Sequence, residues 1–131
     1  MNVFLVEDNE DTASALGALF ELEGIGFHCA RSGAEALSAF TSGAHAAAPP
    51  DVLMLDLFLP DMAGAALVEK LAHVTAVPPI VLHSAASTSE IDEVACAIGA
   101  VATLRKPCSA RDLVAATRRA AAQSDPVAPI V

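Results

Sequence analysis

A chain of 131 residues has room for one compact core and its rim, which excludes a second catalytic or DNA-binding domain within that length. Its 7 Lys and Arg stand against 16 Asp and Glu for a net charge of −9, a balance that repels phosphate backbones and anionic lipid and favours cations or basic partners. Direct nucleic-acid binding is therefore not expected, and a hydrophobic content of 54% with a mean hydropathy of +0.53 excludes a disordered acidic chain.

Val3 to Val6 form a continuous apolar run, the mark of a strand buried on both faces. Glu7 and Asp8 follow at once, with no basic segment ahead and no cleavage-site pattern, so no secretion signal is read and cytoplasmic residence is expected. Residues 10–23 set Ala13, Leu16, Leu19, Phe20 and Glu23 along one largely apolar stripe before Gly24, which predicts a first helix. Phe27 to Ala30 read as a second strand. Ser32-Gly-Ala-Glu35 is a capping-box pattern that opens a second helix, and Gly43 to Pro50 are an Ala- and Pro-rich connection. Val52 to Leu55 are again continuously apolar, a second central strand, followed by a helix from about Ala63 to His73. Ile80 to Leu82 form a fourth strand, and Ser87-Thr-Ser-Glu90 caps a helix that places Ile91, Val94, Ala95 and Ile98 inward before Gly99. Val101 to Leu104 make the fifth strand, and Ser109 caps a last helix with Leu113, Val114 and Thr117 inward. Gln123 to Val131, with Pro126 and Pro129, cannot continue that helix, so the domain spans residues 1–122 and the rest is a tail or a cut linker.

Five alternations of strand and helix predict an α/β domain, an open doubly wound parallel sheet with crossover helices. No apolar run approaches the ~20 residues of a membrane span. Cys29, Cys96 and Cys108 are an odd number without metal-type spacing and read as reduced structural thiols. Strand alternation turns His83 to the face opposite its neighbour Ser84, as a structural histidine, and His28, His45 and His73 have no partners at ligand spacing.

In such a sheet ligands gather at the carboxyl ends of the strands. Glu7 and Asp8 follow the first strand, Asp56 closes the third, Ser84 follows the fourth and Lys106-Pro107 the fifth. Each alone reads as a turn residue or a cap; together they converge on one rim. Close carboxylates repel by about 4 kcal/mol per pair at an effective dielectric near 20, and Lys106 supplies only one positive charge. All-oxygen ligands then point to Mg²⁺ or a similar hard ion, and carboxylates, lysine and hydroxyl together suit phosphoryl transfer. Asp56 is the candidate covalent nucleophile, giving an acyl phosphate, and the absence of a Gly-rich phosphate loop argues against a nucleotide donor.

The residues Glu7-Asp8 within Val6-Glu-Asp-Asn9, Asp56, Pro60, Gly64, Ser84-Ala85 and Lys106-Pro107 resemble the receiver domains of two-component response regulators, and the chain is similar to the small single-domain chemotaxis regulators across residues 2–122. The resemblance implies a flavodoxin-like (βα)5 fold with strand order 2-1-3-4-5. It implies that Asp56 is the phosphoacceptor, served by a sensor histidine kinase, a histidine phosphotransfer protein or a small acyl phosphate. It further implies that Glu7, Asp8, Asp56 and the main-chain carbonyl of Phe58 hold Mg²⁺, and that Lys106 pairs with Asp56 and then with a phosphoryl oxygen. Ser84 would swing inward onto another phosphoryl oxygen, beside a small Ala85, and the Lys106-Pro107 peptide would be cis. The role is that of a signalling domain rather than an enzyme, switching a surface read by a downstream target protein or a second copy of itself.

The chain departs from the family where Tyr or Phe usually precedes the lysine by three residues: Thr103 stands there. Phe58 and Ala86, at the positions that tune water access, cannot orient an attacking water, which predicts slow self-dephosphorylation. A Mg²⁺-dependent phosphohydrolase would place an acid/base Asp where Phe58 stands. A flavin binder would need a hydroxyl-rich phosphate loop where Glu7-Asp8 would repel phosphate. A phosphorylation-independent protein-interaction adaptor on the same fold is the alternative that Thr103 leaves open.

Overall fold

The computed structural model describes residues 1–42 and 49–123. Residues 43–48 of the Ala- and Pro-rich connection, with His45, and residues 124–131 of the tail lie outside the described residues. The strands are β1 (Asn2–Val6), β2 (Gly26–Ala30), β3 (Val52–Leu55), β4 (Ile80–Ser84) and β5 (Ala102–Arg105). The helices are α1 (Glu10–Leu22), α2 (Gly33–Ser42), α3 (Gly64–Ala72), α4 (Thr88–Ile98) and α5 (Ala110–Ala122). All pairings are parallel, in the order β2-β1-β3-β4-β5, so the doubly wound arrangement holds.

Period-two alternation divides each central strand between two cores. Phe4, Val6, Leu53, Leu55 and Leu82 face α2, α3 and α4 and pack with Phe40, Leu67, Leu71 and Ile91. Val3, Leu5, Met54 and Val81 face the other way and pack with Leu16 and Phe20 of α1 and Leu113 and Ala116 of α5. Burial on both faces is why β1 and β3 are apolar without interruption, each buried Leu or Phe stabilising the fold by about 1.5–3 kcal/mol. β2, an edge strand, leaves Gly26, Phe27 and His28 exposed.

The caps show where local chemistry sets the helix starts. Asn9 Oδ1 accepts from the Thr12 amide at 2.9 Å. Ser87 and Ser109 hydroxyls accept from Glu90 and Asp112 amides at 3.2 and 3.1 Å. The two capping boxes close differently from the reciprocal pattern: Glu35 accepts from the Arg31 amide, and Glu90 takes the Ser87 hydroxyl. Asn9 is a cap that the periodicity of α1 did not single out, although Asn three residues ahead of Thr12 is a cap signature.

Ile91, Val94, Ala95 and Ile98 do line the inner side of α4. Cys29 and Cys108 are half-buried and free. Cys96 is the exception to a structural reading, since it lies exposed on the outer side of α4, away from either core.

Candidate functional site

Register builds the site. Val6 pairs with Leu55 across β1 and β3, so the next residues, Glu7 and Asp56, leave the sheet side by side. On the other flank Ser84 pairs with Arg105, and the Lys106 amide donates to the Ser84 carbonyl at 2.8 Å, which ties the end of β5 to the end of β4. The Lys106–Pro107 peptide is cis. Lys106 Nζ reaches back over the rim and donates to Glu7 Oε1 at 2.6 Å and Asp56 Oδ2 at 2.9 Å.

Glu7 is 1% exposed, and a carboxylate so deep needs its oxygens engaged. Its Oε1 has Lys106, and Oε2 accepts from the Asn9 amide at 3.2 Å. Burial works to lower the Lys106 pKa, yet the hydrogen bonds and charges of Glu7 and Asp56 outweigh it and hold the ammonium above the ordinary lysine value. One cation thus serves two carboxylates. Asp56 Oδ1, by contrast, has among the described residues only a long contact at 3.4 Å from the Phe58 amide.

The loop that follows is closed on itself. Gly64 N donates to the Leu57 carbonyl at 2.7 Å and Leu59 N to the Met62 carbonyl at 3.0 Å, while Phe58 and Ala63 form an antiparallel bridge. A Cβ on Gly64 would run into the Asp56 carbonyl oxygen, so only glycine lets α3 start this close to the site.

Of the residues expected here, Glu7, Asp56 and Lys106 are brought into direct contact. Asp8 is exposed on the rim. Among the described residues no group of three or more His, Cys, Asp and Glu side chains stands arranged to hold a metal ion. The donors themselves are carboxylate oxygens, which suit a hard cation, and Mg²⁺ needs only one or two of them because it keeps several waters. Ser84 is buried, and its hydroxyl accepts from the Ala86 amide at 3.3 Å rather than bonding Asp56 or Lys106. Ala85 and Pro107 are exposed at the rim, Thr103 is exposed on the edge strand β5, and Phe58 is 61% exposed.

His83 lies on the face opposite the α2–α4 core, as alternation requires, and lines an open groove of about 680 Å³ with Leu16, Leu19, Lys106, Pro107 and Leu113. It is almost wholly buried, Nδ1 has no hydrogen-bond partner among the described residues, and burial, helped by the Lys106 charge and opposed by Asp56, lowers its pKa to about 4. Burial also raises the Cys108 thiol pKa, with the Asp112 charge adding to it and Lys106 opposing.

Asp61 is the site-loop residue that sequence reasoning missed. Its two oxygens accept from the Gly33 and Ala34 amides, both at 2.9 Å, and these bonds hold its carboxyl below the usual value. The partners lie 28 and 27 residues away, so local pattern carried no signal for the pairing.

A 2-1-3-4-5 parallel sheet with a lysine-bridged carboxylate pair at its carboxyl edge defines a receiver-type α/β domain. The chain matches the response regulator receiver domain over residues 3–118, and it belongs to that family. It is 38% identical over 119 residues to the sensory transduction protein RegX3 of Mycolicibacterium smegmatis, spanning 89% of this chain and 49% of that protein. It is 32% identical over 119 residues to the regulatory protein AtoC of Escherichia coli, spanning 90% of this chain and 24% of that protein. The chain therefore spans about half or less of the length of these relatives. Among solved structures, a CheY-like receiver domain protein from Methanospirillum hungatei superposes with a TM-score of 0.82 at 21% identity over 95% of each chain, a likeness of fold. Among the described residues no helix is long and apolar enough to cross a membrane.

Proposed function

We propose that this receiver domain accepts a phosphoryl group on Asp56 and thereby switches a protein-interaction surface. The observation that carries the reading is the Lys106 ammonium held at 2.6 and 2.9 Å between Glu7 and Asp56. It fixes Asp56 Oδ2 and leaves Oδ1 as the attacking oxygen. With a phosphohistidine donor, from a sensor histidine kinase or a histidine phosphotransfer protein, the Oδ1–P bond forms as the P–N bond breaks and the imidazole leaves. Lys106 stays beside the carboxylate to meet a phosphoryl oxygen.

Glu7, Asp8, Asp56 and the Phe58 carbonyl would hold Mg²⁺, which when bound supplies positive charge to the phosphoryl oxygens. Ser84 changes partner: its hydroxyl leaves the Ala86 amide for a phosphoryl oxygen and draws in the segment carrying Ala85. Thr103 is exposed and carries no ring, so the reading assigns the switch to Ser84 and the loop after it, with Pro107 at the rim and a downstream protein or a second copy as the listener. The role is that of a signalling domain in the cytoplasm, with no turnover beyond its own phosphorylation and dephosphorylation.

Intact mass after incubation with acetyl phosphate or phosphoramidate, with and without Mg²⁺, tests this. A single Mg²⁺-dependent adduct, labile to hydroxylamine and absent from Asp56→Asn, is the expected result. No adduct with any donor would overturn it in favour of the phosphorylation-independent adaptor.

A further inference from the structure

The outer turn of the loop after β3 holds the carbonyl of Phe58, and its distal residues, Pro60 and Asp61, are exposed. Among the described residues, the hydrogen bonds that tie this turn to α2 are the two accepted by Asp61, from the Gly33 and Ala34 amides at 2.9 Å each. Met62 adds a packing contact on the same spot, for its side chain fills the space a Cβ on Gly33 would need. The turn is thus clamped to a second element of the fold rather than left as an exposed loop.

The clamp reaches the metal side of the site through one peptide group. The Phe58 carbonyl and the Leu59 N–H belong to the same planar trans unit, so fixing one fixes the direction of the other. Leu59 N donates to the Met62 carbonyl at 3.0 Å, and Met62 is the residue next to Asp61. Gly64 N on the Leu57 carbonyl holds the base of the turn, while Met62, whose carbonyl is the acceptor, is held by its side chain against Gly33 and by the bonds of the neighbouring Asp61.

We infer that Asp61 is a positioning residue: by clamping the outer turn to the first turn of α2, its carboxylate aims the Phe58 carbonyl and so sets the affinity of the site for Mg²⁺. This rests on the Mg²⁺ reading given above. It acts through the peptide plane and touches neither metal nor phosphoryl group. Outer-shell partners of this kind typically govern metal affinity by about 10-fold or more.

The test is Mg²⁺ titration by calorimetry of the whole chain, alongside the Mg²⁺ concentration that half-saturates phosphorylation by acetyl phosphate. Asp61→Ala is expected to raise both by roughly 10-fold while the rate at saturating Mg²⁺ stays near that of wild type. Asp61→Asn keeps one acceptor oxygen and should fall between the two. Ser32→Ala, which removes the hydroxyl that accepts from Glu35 N at 3.1 Å on the same helix, controls for a merely weakened α2; it should lower the melting temperature and leave Mg²⁺ binding unchanged. If Asp61→Ala and Asp61→Asn lose melting temperature but bind Mg²⁺ as wild type does, Asp61 is only a structural clamp and the inference fails alone. If Ser32→Ala weakens Mg²⁺ binding as much as Asp61→Ala, the effect belongs to α2 stability and the inference again fails. Wild type that binds no Mg²⁺ overturns the functional reading together with it.

Discussion

Acid should destabilise this domain through His83, and the size of the effect follows from its burial. His83 is 6% exposed, with an Nδ1 that finds no partner among the described residues, and its pKa falls from 6.5 to about 4 through burial first and the nearby Lys106 charge second, with Asp56 opposing. Between those two values the unfolded chain binds a proton that the folded chain does not, so stability is complete above pH 6.5 and is lost as pH falls towards 4. The full shift corresponds to about 3 kcal/mol, of which about 2 kcal/mol is gone by pH 5. His83→Leu keeps an apolar body of similar size in the groove and removes the titration. Urea unfolding followed by far-UV circular dichroism, the natural probe for a chain without Trp or Tyr, should show wild type losing about 2 kcal/mol more than His83→Leu between pH 7.5 and 5. His28, His45 and His73 are common to both proteins and cancel in the comparison. Equal losses would refute the argument that burial holds His83 neutral.

Two further outcomes follow from the rim. Phosphorylated wild type should lose its phosphoryl group over minutes or longer, because Phe58 and Ala86 offer no group to orient water, and Phe58→Asn should shorten that lifetime; a wild-type half-life of seconds, read by mass, would contradict it. Gly64→Ala should cost about 2 kcal/mol or more in urea unfolding, since its Cβ meets the Asp56 carbonyl, whereas Gly33→Ala should cost less because it meets only the flexible Met62 side chain.

How much of this was legible depended on the range of the forces involved. β1 and β3 could be read because burial on both faces demands unbroken apolar runs, and Val52–Leu55 was found to the residue. β4 and β5 were read short at their carboxyl ends, because Ser84 and Arg105 are extended by pairing with each other, a cross-strand contact that neither segment announces. The site divides the same way. Glu7, Asp56 and Lys106 were recognised as a set at strand ends, and register then brought them together. Alternation gave the face on which His83 lies but not its depth, which depends on elements far from it in sequence, since residues of α1 and α5 line the same groove. Asp61 looked like any acidic loop residue, since what distinguishes it is a pair of amides on another helix.

The charge at the rim makes better sense as a provision for ligands than for stability. A buried Glu7 held by Lys106 is weak evidence of stabilisation, because desolvating both groups offsets much of their attraction. Apolar residues of similar volume at the ends of β1 and β5 would serve the fold as well. What they could not do is leave negative charge in excess: Glu7 and Asp56 share the single ammonium of Lys106, and Asp8 adds a third carboxylate exposed at the same strand end; in the proposed reading one divalent cation cancels the remainder. In the proposed reading that balance lets a dianionic phosphoryl group approach an otherwise repellent edge. Lys106, already poised between two carboxylates, then exchanges one partner for another instead of being recruited from solvent, so little reorganisation accompanies the transfer.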